Sequence, residues 1–101
     1  MTGITLNPDQ ATELAEVFHL LGDCKRLRLV CACIDEPVSV HDLAEQLGIS
    51  SSLVSHHLRL LKAARLVRAE KRGRQVFYLA ADEHVRCVLR DMTDHLHEED
   101  A

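Results

Sequence analysis

Four side chains near the end of this chain, Asp82, His84, His95 and Glu98, are of types that bind a borderline divalent metal. Their spacing carries information. His84 and His95 are eleven residues apart, and at about 100° per residue a helix brings them back to within roughly 20° of one face. The same spacing separates them by about 16 Å along the axis, whereas each ligand of one zinc lies about 2 Å from the ion. One helix cannot close such a site. Two copies packed antiparallel can, because Asp82 and His84 of one helix then arrive beside His95 and Glu98 of the other, giving two equivalent sites across a twofold dimer. The bland reading is a polar helix end with solvated histidines and acids, and spacing alone leaves both open.

The element that must carry these groups runs from Asp82 to Glu98. Asp82 is placed to cap a helix whose apolar Val85, Val88, Leu89, Met92 and Leu96 fall near helical spacing, with no Gly or Pro inside. The whole chain has 101 residues, enough for one domain with little core to spare, so that dimerisation would add useful burial. Three aromatics among 47% hydrophobic residues point to a Leu, Val and Ala core that suits helices. No apolar run approaches membrane-spanning length and no signal-peptide pattern opens the sequence, so a cytoplasmic protein without a membrane partner is expected. Cys24, Cys31, Cys33 and Cys87 are then expected to be reduced, and no CxxC pair offers a zinc ribbon or thioredoxin motif.

Net charge is −4, which taken alone argues against nucleic acid. Its distribution argues the other way. Arg59, Lys62, Arg65, Arg68, Lys71, Arg72 and Arg74 face one acid, Glu70, in their stretch, while Asp91, Asp94, Glu98, Glu99 and Asp100 gather at the end. A basic face can take DNA and an acidic end a cation.

Asn7-Pro8 starts a first helix with Leu14, Val17, Phe18 and Leu21 on one stripe, closed by Gly22. Asp23 caps a second, from about Cys24 to Ile34, with Leu27, Val30 and Cys31 expected inside and Lys25, Arg26 and Arg28 outside; Glu36-Pro37 breaks it. A third begins near Ser39, carries Leu43 and Leu47 inward and stops at Gly48. The Ser-rich segment from Ile49 to Leu61 then makes the second helix of a helix-turn-helix. Val54, Leu58 and Leu61 face inward, leaving Ser51, Ser52, Ser55, His56 and Arg59 to meet bases and phosphates. An ordinary helical hairpin is the competing reading. Leu66–Glu70 and Gln75–Leu79 are strand-like runs around a basic tip, Lys71-Arg72-Gly73-Arg74, and a hairpin directly after a helix-turn-helix is a wing that carries Arg72 and Arg74 towards DNA. The expected fold is mainly α with a β-hairpin, a dimeric winged helix-turn-helix, with residues 1–101 forming one DNA-binding and dimerisation domain.

From about Leu20 to Glu98 the sequence resembles the ArsR/SmtB family of dimeric metalloregulatory repressors. The resemblance runs through the stretch from Leu21 to Leu29, the Ser51–Leu61 helix, Leu66-Val67 and the Gly73-Arg74 wing. The pattern of Asp82, His84, His95 and Glu98 looks like the interfacial zinc site of one branch of that family. The resemblance implies an apo homodimer that binds operator DNA and represses a metal efflux or sequestration gene, with metal weakening the hold on DNA. It also implies that the histidine corresponding to His95 is linked through its second ring nitrogen towards the DNA-reading helix. The third-helix Cys-x-Cys of arsenic, cadmium and lead sensors is missing here, since Pro37 to Ala44 holds no thiol.

Two imidazoles and two carboxylates in a closed tetrahedron suit Zn(II); Co(II) fits the same cage, and Ni(II) would need further donors. His97 points to another helix face and is expected to meet solvent, His19 to lie on the surface, and His41, His56 and His57 to serve structure or DNA contact. Cys31 and Cys33 point apart on their helix and are expected to be buried small hydrophobes. Cys87, one turn after His84, keeps an alternative alive: a thiol- or persulfide-responsive repressor of the same fold that uses Cys31, Cys33 or Cys87. A zinc hydrolase is the third reading, disfavoured because no base or oxyanion donor accompanies the ligands and four protein ligands close the site. The chain is therefore expected to be no enzyme.

Overall fold

The computed structural model describes residues 3–98, so Glu99 and Asp100 of the acidic end lie outside the described residues. Five helices and three short strands follow in the order α1 (Pro8–Leu21), α2 (Cys24–Ala32), β1 (Val38–Ser39), α3 (Val40–Leu47), α4 (Ser51–Ala63), β2 (Val67–Arg72), β3 (Gln75–Ala80) and α5 (Glu83–Glu98). Each helix starts on a side-chain cap of the kind its sequence offers. Asn7 and Gln10 exchange side-chain to backbone bonds of 2.8 and 3.1 Å. Asp23 accepts from the Lys25 and Arg26 amides, Ser39 from Asp42, Ser50 from Leu53 and Asp82 from Val85, at 2.9–3.1 Å. Each cap satisfies an amide the helix leaves unpaired and contributes about 1 kcal/mol.

The core is built where α2, α3 and α4 meet. Leu29, Val30, Cys33, Leu43, Val54, Leu58 and Leu61 are fully buried, and Leu66 and Val67 extend the cluster to the start of the hairpin. Helix α2 is rotated relative to its expected face: Cys31 is exposed, while Leu29 and Cys33 go inside. It is also two residues shorter than expected. Its last turn tightens, with Cys33 N–H donating to the Val30 carbonyl, and the Cys33 carbonyl leaves the helix to accept the Ala80 amide of β3 at 3.0 Å. A carbonyl engaged by a strand cannot continue a helix.

β3 lies between β1 and β2, antiparallel to both, with Val38 opposite Tyr78 and Val67 opposite Ala80. The hairpin closes more tightly than its composition suggested. Arg72 pairs with Gln75 in the ladder, which leaves Gly73-Arg74 as a two-residue loop. Gly73 takes its first position at φ 62°, the arrangement that matches strand twist and excludes most side chains. Lys71 and Arg72 are therefore strand residues rather than turn residues.

α1 and α5 contain no buried residue. Val17, Leu20, Leu21, Val85 and Leu89 pack on the core from one side. The other side stays open, with Leu14, Phe18, Val88, Met92 and Leu96 exposed by 42–61%. Arg90 forms an ion pair with Asp35 in the α2–β1 connection, tying the middle of α5 to the body.

His57 is the buried imidazole of α4, and its Nδ1 has no hydrogen-bond partner. Burial pushes its pKa below the ordinary 6.5, opposed in part by the Asp23 carboxylate nearby. The unfolded chain therefore takes up a proton on His57 before the folded one does, so stability is full above about pH 6.5 and falls as the pH drops through that value. Urea midpoints of the metal-free protein should decline as the pH falls below about 6.5, and His57→Leu should flatten that decline. Parallel curves for parent and variant would show that His57 is not the group responsible.

Candidate nucleic-acid interface and metal-ligand helix

Helix α4 presents two faces. Val54, His57, Leu58 and Leu61 are buried, and across the helix Ser51, Ser52, His56 and Arg59 are exposed with Ser55 half-buried. Gly48 at φ 68° ends α3, its amide donating to the Ala44 carbonyl at 2.9 Å, and the chain turns into α4 within three residues. This is the short, glycine-containing turn a helix-turn-helix needs to hold its second helix proud of the body. All five α4 residues expected to face DNA are on the open side. Small hydroxyls there permit close approach to a duplex, and Arg59 supplies charge.

The other end of α4 is closed by a residue that sequence reasoning passed over. Arg65 adopts φ 61°, its amide donates to Lys62 and the Leu66 amide reaches back to the Leu61 carbonyl at 2.9 Å. This is a Schellman cap with arginine where glycine is usual, a conformation disfavoured by about 1 kcal/mol for a residue with a Cβ. The Arg65 guanidinium meets Glu13 of α1 at 3.1 Å.

Two wing arginines were expected to act alike, and they differ. The Arg72 guanidinium bonds Glu70 at 3.0 Å and lies 5.2 Å from the centre of the Phe77 ring. Arg74 sits in the loop itself, exposed, and makes no ion pair among the described residues. In this it resembles Lys71, which is likewise exposed and without an ion pair among the described residues.

Asp82 and His84 stand at the head of α5, with His84 Nδ1 3.7 Å from Asp82 Oδ1. That oxygen also caps the Val85 amide. His95 and Glu98 are at the tail of the same helix, one turn apart. A single chain brings the first pair together and keeps it a helix length from the second. Among the described residues, the group of three potential ligands whose donor atoms lie within 4.8 Å of one another is elsewhere, at His41, Asp42 and Glu45 on α3, all exposed. The i, i+1, i+4 spacing was a readable signal for it, although His41 was assigned to structure or DNA contact. Three exposed donors on one helix leave an ion mostly hydrated, with little of the enclosure that a tight site requires.

Cys31, Cys33 and Cys87 are thiols in settings that resist ionisation. Burial raises Cys33 to about 12, and its Sγ–H donates to the Leu29 carbonyl at 3.3 Å. Burial also raises Cys31, which lies in a shallow groove with Leu89, Arg90 and Thr93 of α5. Cys87 is raised chiefly by its hydrogen bond to Glu83 at 3.5 Å. Thiolate is the reactive form, so all three are poor nucleophiles near neutral pH.

Residues 23–69 match the family described as bacterial regulatory protein, arsR family. The chain is 46% identical over 92 residues to a transcriptional repressor SmtB homolog of Synechocystis, covering 91% of this chain and 70% of that protein. It is 41% identical over 86 residues to the HTH-type transcriptional regulator KmtR of Mycobacterium tuberculosis, covering 85% and 66%. In three dimensions it is similar to the homodimeric winged helix-turn-helix DNA-binding domain of Mb0332 from Mycobacterium bovis, with a TM-score of 0.84, 23% identity, and 97% and 92% of the two chains covered. The fold is thus a winged helix-turn-helix, as the pattern of helices and hairpin foretold.

The difference between the wing arginines leads to a measurable asymmetry. Arg74→Ala should weaken DNA binding for all sequences alike and reduce the salt dependence of log K by about one for each phosphate no longer neutralised. Arg72→Ala should change that slope less, because Glu70 already neutralises it. Equal slopes for both variants in a salt titration would mean that Glu70 releases Arg72 on the duplex.

Proposed function

The chain belongs to the bacterial arsR family of transcription regulators, and from that premise we propose that it is a homodimeric repressor released from operator DNA when Zn(II) binds between its last helices. The observation that carries this reading is the division of ligands along α5. Asp82 and His84 lie at its head and His95 and Glu98 at its tail, on a helix whose Val88, Met92 and Leu96 are exposed beside Leu14 and Phe18 of α1. A second copy covers that apolar stripe and, with the two α5 helices antiparallel, lays each head against the partner's tail. Residues 1–101 then serve as one domain for DNA binding and dimerisation.

The donor set fits zinc. The 3.7 Å between Asp82 Oδ1 and His84 Nδ1 is near the separation of two ligand atoms that each lie about 2 Å from a tetrahedral ion. The same oxygen accepts the Val85 amide, a bond that holds the Asp82 carboxylate beside His84. Co(II) fits the same cage, and Ni(II) would require additional donors.

Metal acts by differential affinity for two arrangements of the dimer. A cross-link between α5 helices fixes the angle between protomers, and with it the separation of the two α4 helices. Two half-sites about one helical turn apart accept only one such separation. The open face of α4, with Ser51, Ser52, Ser55, His56 and Arg59, reads the major groove while Arg72 and Arg74 hold the flanking backbone. A coupling of about 1–3 kcal/mol for each site is the usual size of such a linkage. The thiol-responsive alternative is disfavoured by the raised pKa of Cys31, Cys33 and Cys87.

Mixing two inactive variants tests the intersubunit site. A chain with Asp82→Ala and His84→Ala, and a second with His95→Ala and Glu98→Ala, should each fail to bind Zn(II) tightly. Their heterodimer should regain one site, and zinc should again release it from DNA in fluorescence anisotropy. No recovery in the mixed dimer would mean that the two pairs do not meet across the interface. Oxidation of the thiols should leave DNA binding unchanged; release by oxidant but not by zinc would transfer sensing to the cysteines.

Dimerisation should survive removal of metal, because the stripe is apolar. Phe18→Asp with Met92→Asp should give a monomer by sedimentation velocity, with DNA affinity reduced at least a hundredfold through loss of the paired half-site. A stable dimer from that double variant would move the interface off α1 and α5.

A further inference from the structure

Between the start of α3, the middle of α4 and the first residues of β3 runs an open groove of about 270 Å³, lined by Ser39, Val40, His41, Ser55, Gln75 and Val76. No carboxylate lines it. Asp42 lies alongside on α3, as does Glu45, which is 3.6 Å from His41 Nε2, but neither borders the groove. Ser55 belongs to the open face of α4, and Gln75 follows directly after the wing loop, paired in the ladder with Arg72. The groove therefore joins the two surfaces that meet DNA.

A duplex puts a phosphate ridge between its major and minor grooves. A protein that inserts a helix into one and a hairpin into the next must straddle that ridge, and the surface between the two elements has to receive it. Here that surface is concave, free of negative charge along its walls and furnished with a hydroxyl, a carboxamide and an imidazole, the neutral or cationic donors that phosphate oxygens accept.

We propose that this groove seats the backbone of the DNA strand passing from the major groove under α4 to the minor groove under the wing, with Gln75, Ser55 and His41 as its hydrogen-bond donors. The inference rests on the docking of α4 and the hairpin on DNA and is independent of the metal site. Gln75 is the most informative member, since it is exposed and holds neither a cap nor a core position.

The test uses metal-free full-length protein and a short duplex of arbitrary sequence, because a phosphate contact does not depend on bases. Gln75→Ala should weaken binding roughly tenfold for the dimer without changing the salt slope, since a carboxamide displaces no counterion. Gln75→Lys should strengthen binding and steepen the slope by about one for each protomer, and Gln75→Glu should weaken it well beyond the alanine variant. On a duplex that carries the operator, where the register is fixed, ethylation interference should lose one backbone position per half-site with the alanine variant. If lysine and glutamate variants bind equally, the groove holds no phosphate. If, in addition, Arg59→Ala and Arg74→Ala leave affinity unchanged, the docking itself is wrong; if those two lose affinity while the Gln75 series does not, docking stands and this groove is excluded from it.

Discussion

A shortage of apolar cover governs this structure. The α2–α3–α4 cluster consumes the side chains that can be fully enclosed, and the first and last helices are left to lie across it by one edge, with none of their own residues buried. Phe18, Met92 and Leu96 are each more than half exposed. A chain of this length has little surface with which to hide them. Leu14 and Phe18 of α1 share one apolar groove with Val88 of α5, and Met92 and Leu96 continue the line along α5 beside its histidines and acids. In the proposed dimer one surface therefore both joins the copies and presents ligands, and the angle at which the copies meet is available to a bound ion.

The DNA-reading side is solved by the opposite means. Four residues of α4 are anchored in the core, so its exposed face is held rigidly, and Gly48 and Arg65 fix both of its ends. The wing is lighter: two strands, a two-residue loop, and one arginine stacked on Phe77 and paired with Glu70. The net charge of the chain is negative, yet Arg59, Arg68, Arg72 and Arg74 stand exposed along α4 and the hairpin, and several acids elsewhere are spent locally. Asp23 is held below the usual carboxylate range by the Arg26 amide, Asp35 by Arg90 and Glu83 by Arg86.

What the sequence disclosed was local chemistry. Asn7-Pro8, Asp23, Ser39 and Asp82 announce helix starts because a cap needs only the next three residues, and each is found in that role. The inward positions of α4 were readable because the helix is long enough for its period to fix its face. α2 is nine residues long, and its rotation is set by what α3, α4 and β3 require of it. Its own pattern favoured Cys31, whereas the tertiary contacts chose Leu29 and Cys33. β1 is two residues long and exists through its pairing with Phe77 and Tyr78, which no reading of Val38-Ser39 alone supplies. The tight turn at Gly73 likewise emerges from register. The four candidate ligands were legible as types and spacing, and one chain keeps the pair at the head of α5 a helix length from the pair at its tail.

The tie between Arg90 and Asp35 has a mechanical consequence. Beyond it the last eight residues of α5 are all exposed, so this end behaves as a cantilever roughly 12 Å long. Pivoting α5 by about 10° at the tie would carry Glu98 roughly 2 Å, as far as a metal–ligand bond is long. In the proposed dimer, a beam of that length would convert an angular change too small to disturb the packing of Val85 and Leu89 into one that makes or breaks coordination at Glu98. By the same leverage, bonds closed at the tip of the proposed site would apply torque at Asp35, three residues before the strand that leads into the helix-turn-helix.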